Sequence, residues 1–170
     1  IKMLLGLTIS EITALIQTLF VVIGVILTVV TLFNSRADSR KRATLELILH
    51  QRSDKQLTWA TKRMSELVQK MKTEGGEYAN LSQYLNEPSE ERKAIATVLN
   101  HREFVSVGIN TGIIDEKTYK QAYYSMFVRD WKYLENTVNA LRSVSSENKT
   151  NFQDFEYLAK RWVKKPLKQK

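Results

Sequence analysis

Two histidines, His50 and His101, are the residues best suited to metal binding, and the chain contains no cysteine. A metal site on a helix needs two or more ligands on one face, as in a His-x3-His pair, and no such pair occurs here. The absence of cysteine excludes disulfides, thiol nucleophiles and thiolate zinc sites. We therefore expect no metal site and no cofactor, and a hydrogen-bonding role at the surface or between helices for these histidines.

Charged residues on two predicted helices form the second candidate group. Asn100, Arg102 and Glu103 lie on or beside an apolar face, and Arg129 and Asp130 lie on a long helix. They could form a buried polar network that fixes how the helices pack, and a catalytic carboxylate pair is the alternative. The sequence contains no GxxxxGK[ST], GxGxxG, GxSxG or HExxH motif. We therefore expect a protein that is not an enzyme.

An uncharged apolar run, residues 12–33, is the most informative element of the chain. A helix of about 22 residues is roughly 33 Å long, which matches the roughly 30 Å hydrocarbon core of a bilayer. A signal peptide is the rival interpretation, but its apolar region is usually only about 7–15 residues long. We expect a transmembrane helix that the protein retains.

One face of this predicted helix combines small and polar residues within an arc of about 60°. The face contains Gly6, Ser10, Thr13, Gln17, Gly24, Thr28, Thr31 and Ser35. Such residues allow close helix packing and hydrogen bonds across a helix interface. We expect Thr13, Gln17, Gly24, Thr28 and Thr31 to contact another copy of the chain. Two alternatives are hydroxyls that bond to their own helix, and a water-lined pore.

Cationic residues follow the apolar run much more often than they precede it. Arg36, Arg40, Lys41 and Arg42 come directly after it, whereas only Lys2 comes before it. Because such residues concentrate on the cytoplasmic flank, we expect an N-terminus outside and a cytoplasmic C-terminal domain. We expect the four cations after the run to contact anionic lipid headgroups.

Apolar residues at helical spacing predict an all-α domain after the span, with a bundle of about four or five helices. Ser53 and Gln56 fit a capping box, Gly75–Gly76 a helix stop, Pro88 a first helical turn and Asp115 an N-cap. The predicted helices cover about 53–72, 78–85, 88–107, 116–144 and 151–164. The predicted division is an outer segment 1–11, a span 12–33, a basic stalk 34–52, a helical domain 53–164 and a basic tail 165–170.

The predicted core comes from apolar stripes on three of these helices. We expect one stripe of the long helix to pack against the two helices on either side of it. The long-helix residues are Tyr123, Phe127, Trp131 and Leu134, and their expected partners are Ile95, Leu99, Phe155 and Leu158. Because the aromatic residues near the basic tail share this core spacing, nucleic acid is not an expected partner.

Three stretches resemble the bacterial domain-of-unknown-function family 4760. They are SRKRATLELILHQRS at 39–53, VLNHREFVSVGINTGIIDEKTY at 98–119 with RDW at 129–131, and NFQDFEYLAKRW at 151–162. Members of that family commonly join an N-terminal membrane segment to a short helical domain. The resemblance implies membrane attachment and a helical fold, and it implies no reaction. Because the family is bacterial, the membrane that we expect is the bacterial inner membrane.

These observations favour a non-enzymatic, single-pass membrane protein that forms a homo-oligomer. Its cytoplasmic helical domain would be an interaction or sensing module with a protein partner yet to be identified. The alternative is an oligomeric membrane effector that opens a pore in a stress or phage-defence response. The formal net charge of +8 fits an anionic membrane surface in both interpretations.

Overall fold

A computed structural model describes residues 8–73, 81–144 and 146–168 of the chain. These ranges contain no strand, and the predicted all-α class is confirmed. The helices are α1 (Ile9–Ser53), α2 (Lys55–Thr73), α3 (Glu90–Asn110), α4 (Glu116–Val144) and α5 (Gln153–Lys164), with short 3₁₀ turns at Leu81–Leu85 and Ser146–Thr150. The chain divides into two compact units, the first ending at Arg40 and the second beginning at Lys41.

The first unit is the apolar part of α1. None of its described residues is buried, and its most hydrophobic 18-residue window has a mean hydropathy of 2.6. By length and composition, α1 is the one described helix that could cross a membrane. Large apolar side chains are exposed all along it; Phe20, for example, is 70% exposed. An exposed apolar surface of this extent requires lipid or another protein to cover it.

The second unit is a helical bundle with a continuous apolar core. In it, α3 packs against α2 and α5, while α4 packs against α5 and the two 3₁₀ turns. The C-terminal part of α1 belongs to this unit and contributes three buried residues, Thr44, Ile48 and Gln51. The segment predicted as a stalk therefore supplies part of the bundle through its last residues.

The predicted core residues are buried, apart from Tyr123, which is half-buried. The rings of Phe127 and Trp131 meet Phe155 edge-on, with centroid distances of 5.0 and 5.2 Å. Trp162 is fully buried and lies 4.9 Å from Phe127. Helical periodicity therefore located the aromatic centre of the bundle correctly.

The start of α2 differs from its prediction by one residue. Ser53 ends α1, and its hydroxyl donates to the carbonyl oxygen of His50 at 2.9 Å. Asp54 is the N-cap instead, because its Oδ1 accepts a hydrogen bond from the backbone N–H of Leu57 at 3.0 Å. Both residue types cap helices well, so the capping pattern alone could not separate two adjacent candidates.

The boundaries of α3 also differ from their predictions. The helix begins at Glu90, after Pro88, because the N-cap Ser89 accepts a hydrogen bond from the N–H of Arg92 at 3.0 Å. It continues through Gly108, where a Cβ would lie 2.5 Å from Cδ1 of Ile114. Gly108 is therefore a close-packing site inside the helix, and the turn is made by Gly112, with φ of 76°.

Three predicted boundaries are confirmed, and others lie outside the described residues. Asp115 caps α4, since its Oδ1 accepts the N–H of Thr118 at 3.0 Å. The end of α4 at Val144 and that of α5 at Lys164 match the prediction. The Gly75–Gly76 stop and residues 78–80 of the predicted short helix lie outside the described residues, as do 1–7, 145 and 169–170.

Candidate functional site

The predicted interface face of the span is exposed along the first unit. The hydroxyls of Thr13, Thr28 and Thr31 donate to backbone carbonyl oxygens of the same helix, four residues earlier. The three distances are 2.9, 2.8 and 2.8 Å. The alternative that these hydroxyls bond within their own helix is therefore what the structure shows. Their oxygens remain available as acceptors.

Gln17 and Gly24 are the other two of the five residues predicted to contact a second copy. Both are exposed, and a Cβ placed on Gly24 would meet no atom within 4 Å. The face therefore has a notch at Gly24, on the same side as the Gln17 amide. A second helix could approach closely at this notch, as small residues permit in membranes.

The four cations predicted to contact lipid fall on both sides of the boundary between the units. Arg36 and Arg40 belong to the first unit, and Lys41 and Arg42 begin the second. All four side chains are exposed. The last residues of the first unit and the first residues of the second therefore both include cations.

The predicted polar network contains one fully buried ion pair, between Arg102 of α3 and Asp130 of α4. Their side chains are 1% and 0% exposed, and Nε and Nη2 of Arg102 donate to the same carboxylate oxygen at 2.9 and 2.8 Å. Asp130 also lies 3.6 Å from the half-exposed Arg129. This pair fixes the register of α3 on α4, because separating its members would leave a buried charge unpaired.

His101 extends this pair toward the edge of the bundle. Its Nδ1 lies 3.1 Å from Nη1 of Arg102, and because a guanidinium only donates, Nδ1 is the acceptor. Burial, with a smaller contribution from the charge of Arg102, lowers the pKa of His101 to about 4. The imidazole is therefore neutral at physiological pH. His101 makes a hydrogen bond, but to the next residue of α3 and not between helices as expected.

Glu103 has a different role from the network predicted for it. Its carboxylate accepts hydrogen bonds from the backbone N–H groups of Asp154 and Phe155, at 3.3 and 2.8 Å. Burial raises the pKa of Glu103, and the two backbone hydrogen bonds oppose that increase. Asn100 is exposed and lies outside the buried pair, so its predicted membership of the network is wrong.

The cap supplied by Glu103 compensates for a strained helix start. Phe152 precedes α5 with φ of 58°, a left-handed conformation that is unfavourable for a bulky residue, and its side chain makes no cap hydrogen bond. The first N–H groups of α5 therefore find their acceptor on α3. The residues around Phe152 do not predict this cap, because the acceptor, Glu103, lies far away in the sequence.

Glu116 connects the beginning of α4 to the end of α5, and the sequence analysis did not identify it. One carboxylate oxygen accepts from Nε1 of Trp162 at 2.8 Å, and the other accepts from Nη2 of Arg161 at 2.9 Å. The N–H of a buried indole needs a hydrogen-bond acceptor. The position of Trp162 on a predicted core stripe therefore indicated that an acceptor lies beside it.

The carboxylates described so far all have structural partners. No group of three or more His, Asp or Glu side chains suited to a metal ion occurs in the described ranges 8–73, 81–144 and 146–168. Chemically, the arrangement in the second unit caps helices and pairs buried charges. These contacts align α3, α4 and α5.

The family model described as Domain of unknown function (DUF4760) matches residues 18–162. The chain belongs to the DUF4760 family. The DUF4760 match begins inside the apolar run and ends at Trp162, so it includes all three stretches that carry the resemblance in the sequence. It also includes every residue of the buried pair, the α5 cap and the Glu116 contacts. No curated protein and no solved structure matches the chain.

Proposed function

We propose that the protein is a non-enzymatic, single-pass membrane protein of the bacterial inner membrane. In this proposal, the apolar part of α1 associates with other copies of itself, and the second unit is a cytoplasmic interaction module. The observation that carries the proposal is an apolar helix with no buried residue between Thr8 and Arg40, attached to a bundle that buries its own core.

The membrane assignment is supported by the cost of leaving the first unit in water. Burial of apolar surface contributes about 25 cal/mol per Å². The span exposes large apolar side chains on all its faces, with none covered by the chain itself. A bilayer covers such a surface without any partner, and the helix already satisfies its backbone hydrogen bonds. The cations that follow the run support a cytoplasmic second unit and contact with anionic headgroups.

Self-association is supported by Gln17 and Gly24 rather than by the threonines. Because the threonine hydroxyls donate to carbonyls of their own helix, they do not need a hydrogen-bond acceptor from a second helix. The Gln17 amide is exposed on the same face and would be costly to leave unpaired in hydrocarbon. A second copy of the helix offers an identical amide at the same depth.

The interaction role of the second unit is supported by how its polar groups are used. Arg102 with Asp130, Glu103 with α5, and Glu116 with Trp162 all hold helices together. A domain built in this way presents a rigid helical surface. That property suits a binding module.

The test compares substitutions on the proposed interface with a neighbour on another face. Gly24→Leu should prevent close approach, and Gln17→Leu should weaken association by about 1 kcal/mol. Val25→Leu, an addition of volume on a different face, is the control and should leave association unchanged. Energy transfer between labelled copies in vesicles measures the association, and a C-terminal reporter measures the orientation.

Three results would contradict parts of this proposal. A C-terminal reporter that is active only outside the cytoplasm would contradict the orientation. Equal association of all three variants would contradict the interface. If Gln17→Leu changes ion flux through vesicles while the oligomer persists, the oligomeric pore effector becomes the better interpretation.

A further inference from the structure

A cavity of about 360 Å³ lies within the second unit, between the C-terminal end of α1, one face of α2, and the facing sides of α3 and α4. Its volume falls in the range of small-molecule sites, about 300–1,000 Å³. The wall combines apolar side chains with cationic and polar ones. The residues that define its character are Gln51, Arg52, Leu57, Lys62, Tyr123 and Met126.

Two of the three cations in this wall have no acidic partner among the described residues. Arg52 and Lys62 make no ion pair with any residue in the part of the chain that the structure describes. No aspartate or glutamate lines the cavity. Elsewhere in the unit, arginines such as Arg63, Arg142 and Arg161 have carboxylate partners. Two cations that line the same cavity, with no acidic residue in its wall, favour the binding of an anion there.

The remaining charged residue of the wall, Arg102, is already engaged. Its guanidinium donates to Asp130 and to His101, so it adds no available positive charge. This leaves Arg52 and Lys62 as the cations that a ligand could use. Both side chains are exposed, so a ligand can reach them without opening the bundle.

A buried amide adds an unmet donor beside the same cavity. Gln51 is only 7% exposed, and its Oε1 accepts a hydrogen bond from the hydroxyl of Tyr119 at 3.0 Å. Its Nε2 has no hydrogen-bond acceptor among the described residues. Buried donors without an acceptor are rare in folded proteins and mark places where another group can contribute one.

We propose that this cavity binds a small organic anion, with a phosphate or carboxylate group at Arg52 and Lys62. The apolar part of the ligand would pack against Leu57, Tyr123 and Met126. This assignment goes beyond the proposed function and does not depend on membrane attachment. A soluble metabolite and a lipid headgroup could both supply the anionic group, and the experiment separates these sources.

The probe is 1-naphthyl phosphate, which joins a phosphate to an apolar ring system. Its binding to the full chain in nanodiscs of neutral lipid is measured by equilibrium dialysis. The double variant Arg52→Gln/Lys62→Gln should bind at least about tenfold more weakly, because it loses both charged hydrogen-bond donors to the phosphate. The matched control Lys55→Gln/Lys70→Gln removes the same charge from exposed positions outside the cavity wall and should bind like the wild type.

A second pair of measurements tests the apolar part and the shape of the cavity. Inorganic phosphate and 1-naphthol each lack half of the probe, and both should bind more weakly than 1-naphthyl phosphate. Thr61→Met, in the cavity wall, fills space without changing charge and should also reduce binding. The far-ultraviolet circular dichroism of each variant should match that of the wild type, which excludes loss of the fold.

The source of the anion follows from repeating the titration in nanodiscs that contain anionic lipid. If anionic lipid weakens the binding of 1-naphthyl phosphate to the wild type but not to Arg52→Gln/Lys62→Gln, a lipid headgroup is the ligand. If anionic lipid leaves the affinity of the wild type for 1-naphthyl phosphate unchanged, the ligand is a soluble anion. Absence of 1-naphthyl phosphate binding to the wild type overturns the proposal. Equal loss of affinity in the Lys55→Gln/Lys70→Gln control also overturns it, since the effect would then be one of net charge.

Discussion

Thr13 in the first unit and Thr44 in the second have the same side chain in opposite surroundings. Thr13 is exposed, and its hydroxyl donates to a carbonyl of its own helix. Thr44 is 1% exposed, and its hydroxyl accepts the backbone N–H of Asp115 at 2.9 Å. The bundle uses its threonine hydroxyl to join two helices, whereas the first unit uses it only within one helix. What the first unit leaves uncovered are its large apolar side chains.

The largest expected effect comes from breaking the buried ion pair, because this contact lies entirely within the bundle. Arg102→Met should lower the free energy of unfolding by about 3–5 kcal/mol, because Asp130 stays buried without its main partner. The double variant Arg102→Met/Asp130→Leu should recover most of this loss. Urea unfolding of the full chain in detergent measures it, with tryptophan fluorescence as the signal, since Trp59, Trp131 and Trp162 all lie in the second unit.

Arg129 supplies the control for this prediction. It is half-exposed and lies 3.6 Å from Asp130. Arg129→Met should therefore change the free energy of unfolding by less than about 1 kcal/mol. A loss as large as that of Arg102→Met would mean that Asp130 depends on both arginines.

A matched pair of phenylalanines compares the units directly. Phe127→Ala should lower the free energy of unfolding of the second unit by about 3–5 kcal/mol, because the side chain is fully buried. Phe20→Ala removes the same atoms from an exposed position in the first unit and should change it by less than about 0.5 kcal/mol. The same urea titration measures both, and equal effects would contradict the division into units.

His101 gives the stability of the bundle a dependence on pH. The unfolded chain protonates this histidine near pH 6.5, whereas the folded chain does so only near its pKa of about 4. Stability is therefore full above pH 6.5 and is lost as the pH falls toward 4, by up to about 3 kcal/mol. His101→Gln should remove this part of the pH dependence. His50→Gln, at an exposed position, should retain it.

The smallest expected effect concerns the cap that α3 supplies to α5. Glu103→Ala should lower the free energy of unfolding by about 1–2 kcal/mol, as losing an N-cap does. Hydrogen exchange at the N–H of Phe155 should become faster, because that group loses its acceptor. Glu66→Ala, at an exposed position, is the control. Unchanged exchange at Phe155 would show that water replaces the carboxylate at little cost.

The sequence predicted the helices and the core well because both follow from periodicity. The stripe through Phe127, Trp131 and Leu134 is visible in the letters, and the structure buries all three residues. The buried pair was partly predictable, since Arg102 falls on a core stripe where an unpaired charge would be costly. Its partner Asp130 could be proposed only as one of several charged residues.

Contacts between distant residues could not be predicted in the same way. Glu103 reaches Phe155 across the bundle, and no local pattern connects these two positions. The predicted start of α2 was wrong by one residue for a related reason, because Ser53 and Asp54 are equally good caps by type. The cavity beside Gln51 depends on how four helices meet, which a one-dimensional pattern does not contain.

The cap that α3 supplies also makes α5 depend on the rest of the bundle. A helix of 12 residues is only marginally stable alone, and α5 additionally follows a left-handed phenylalanine. Its first turn is stabilised by the Glu103 carboxylate and its last turn by Glu116. We therefore expect α5 to gain its full helical stability only against folded α3 and the start of α4. Because α3 and α4 precede α5 in the sequence, the ribosome releases these acceptors before residues 153–164 appear.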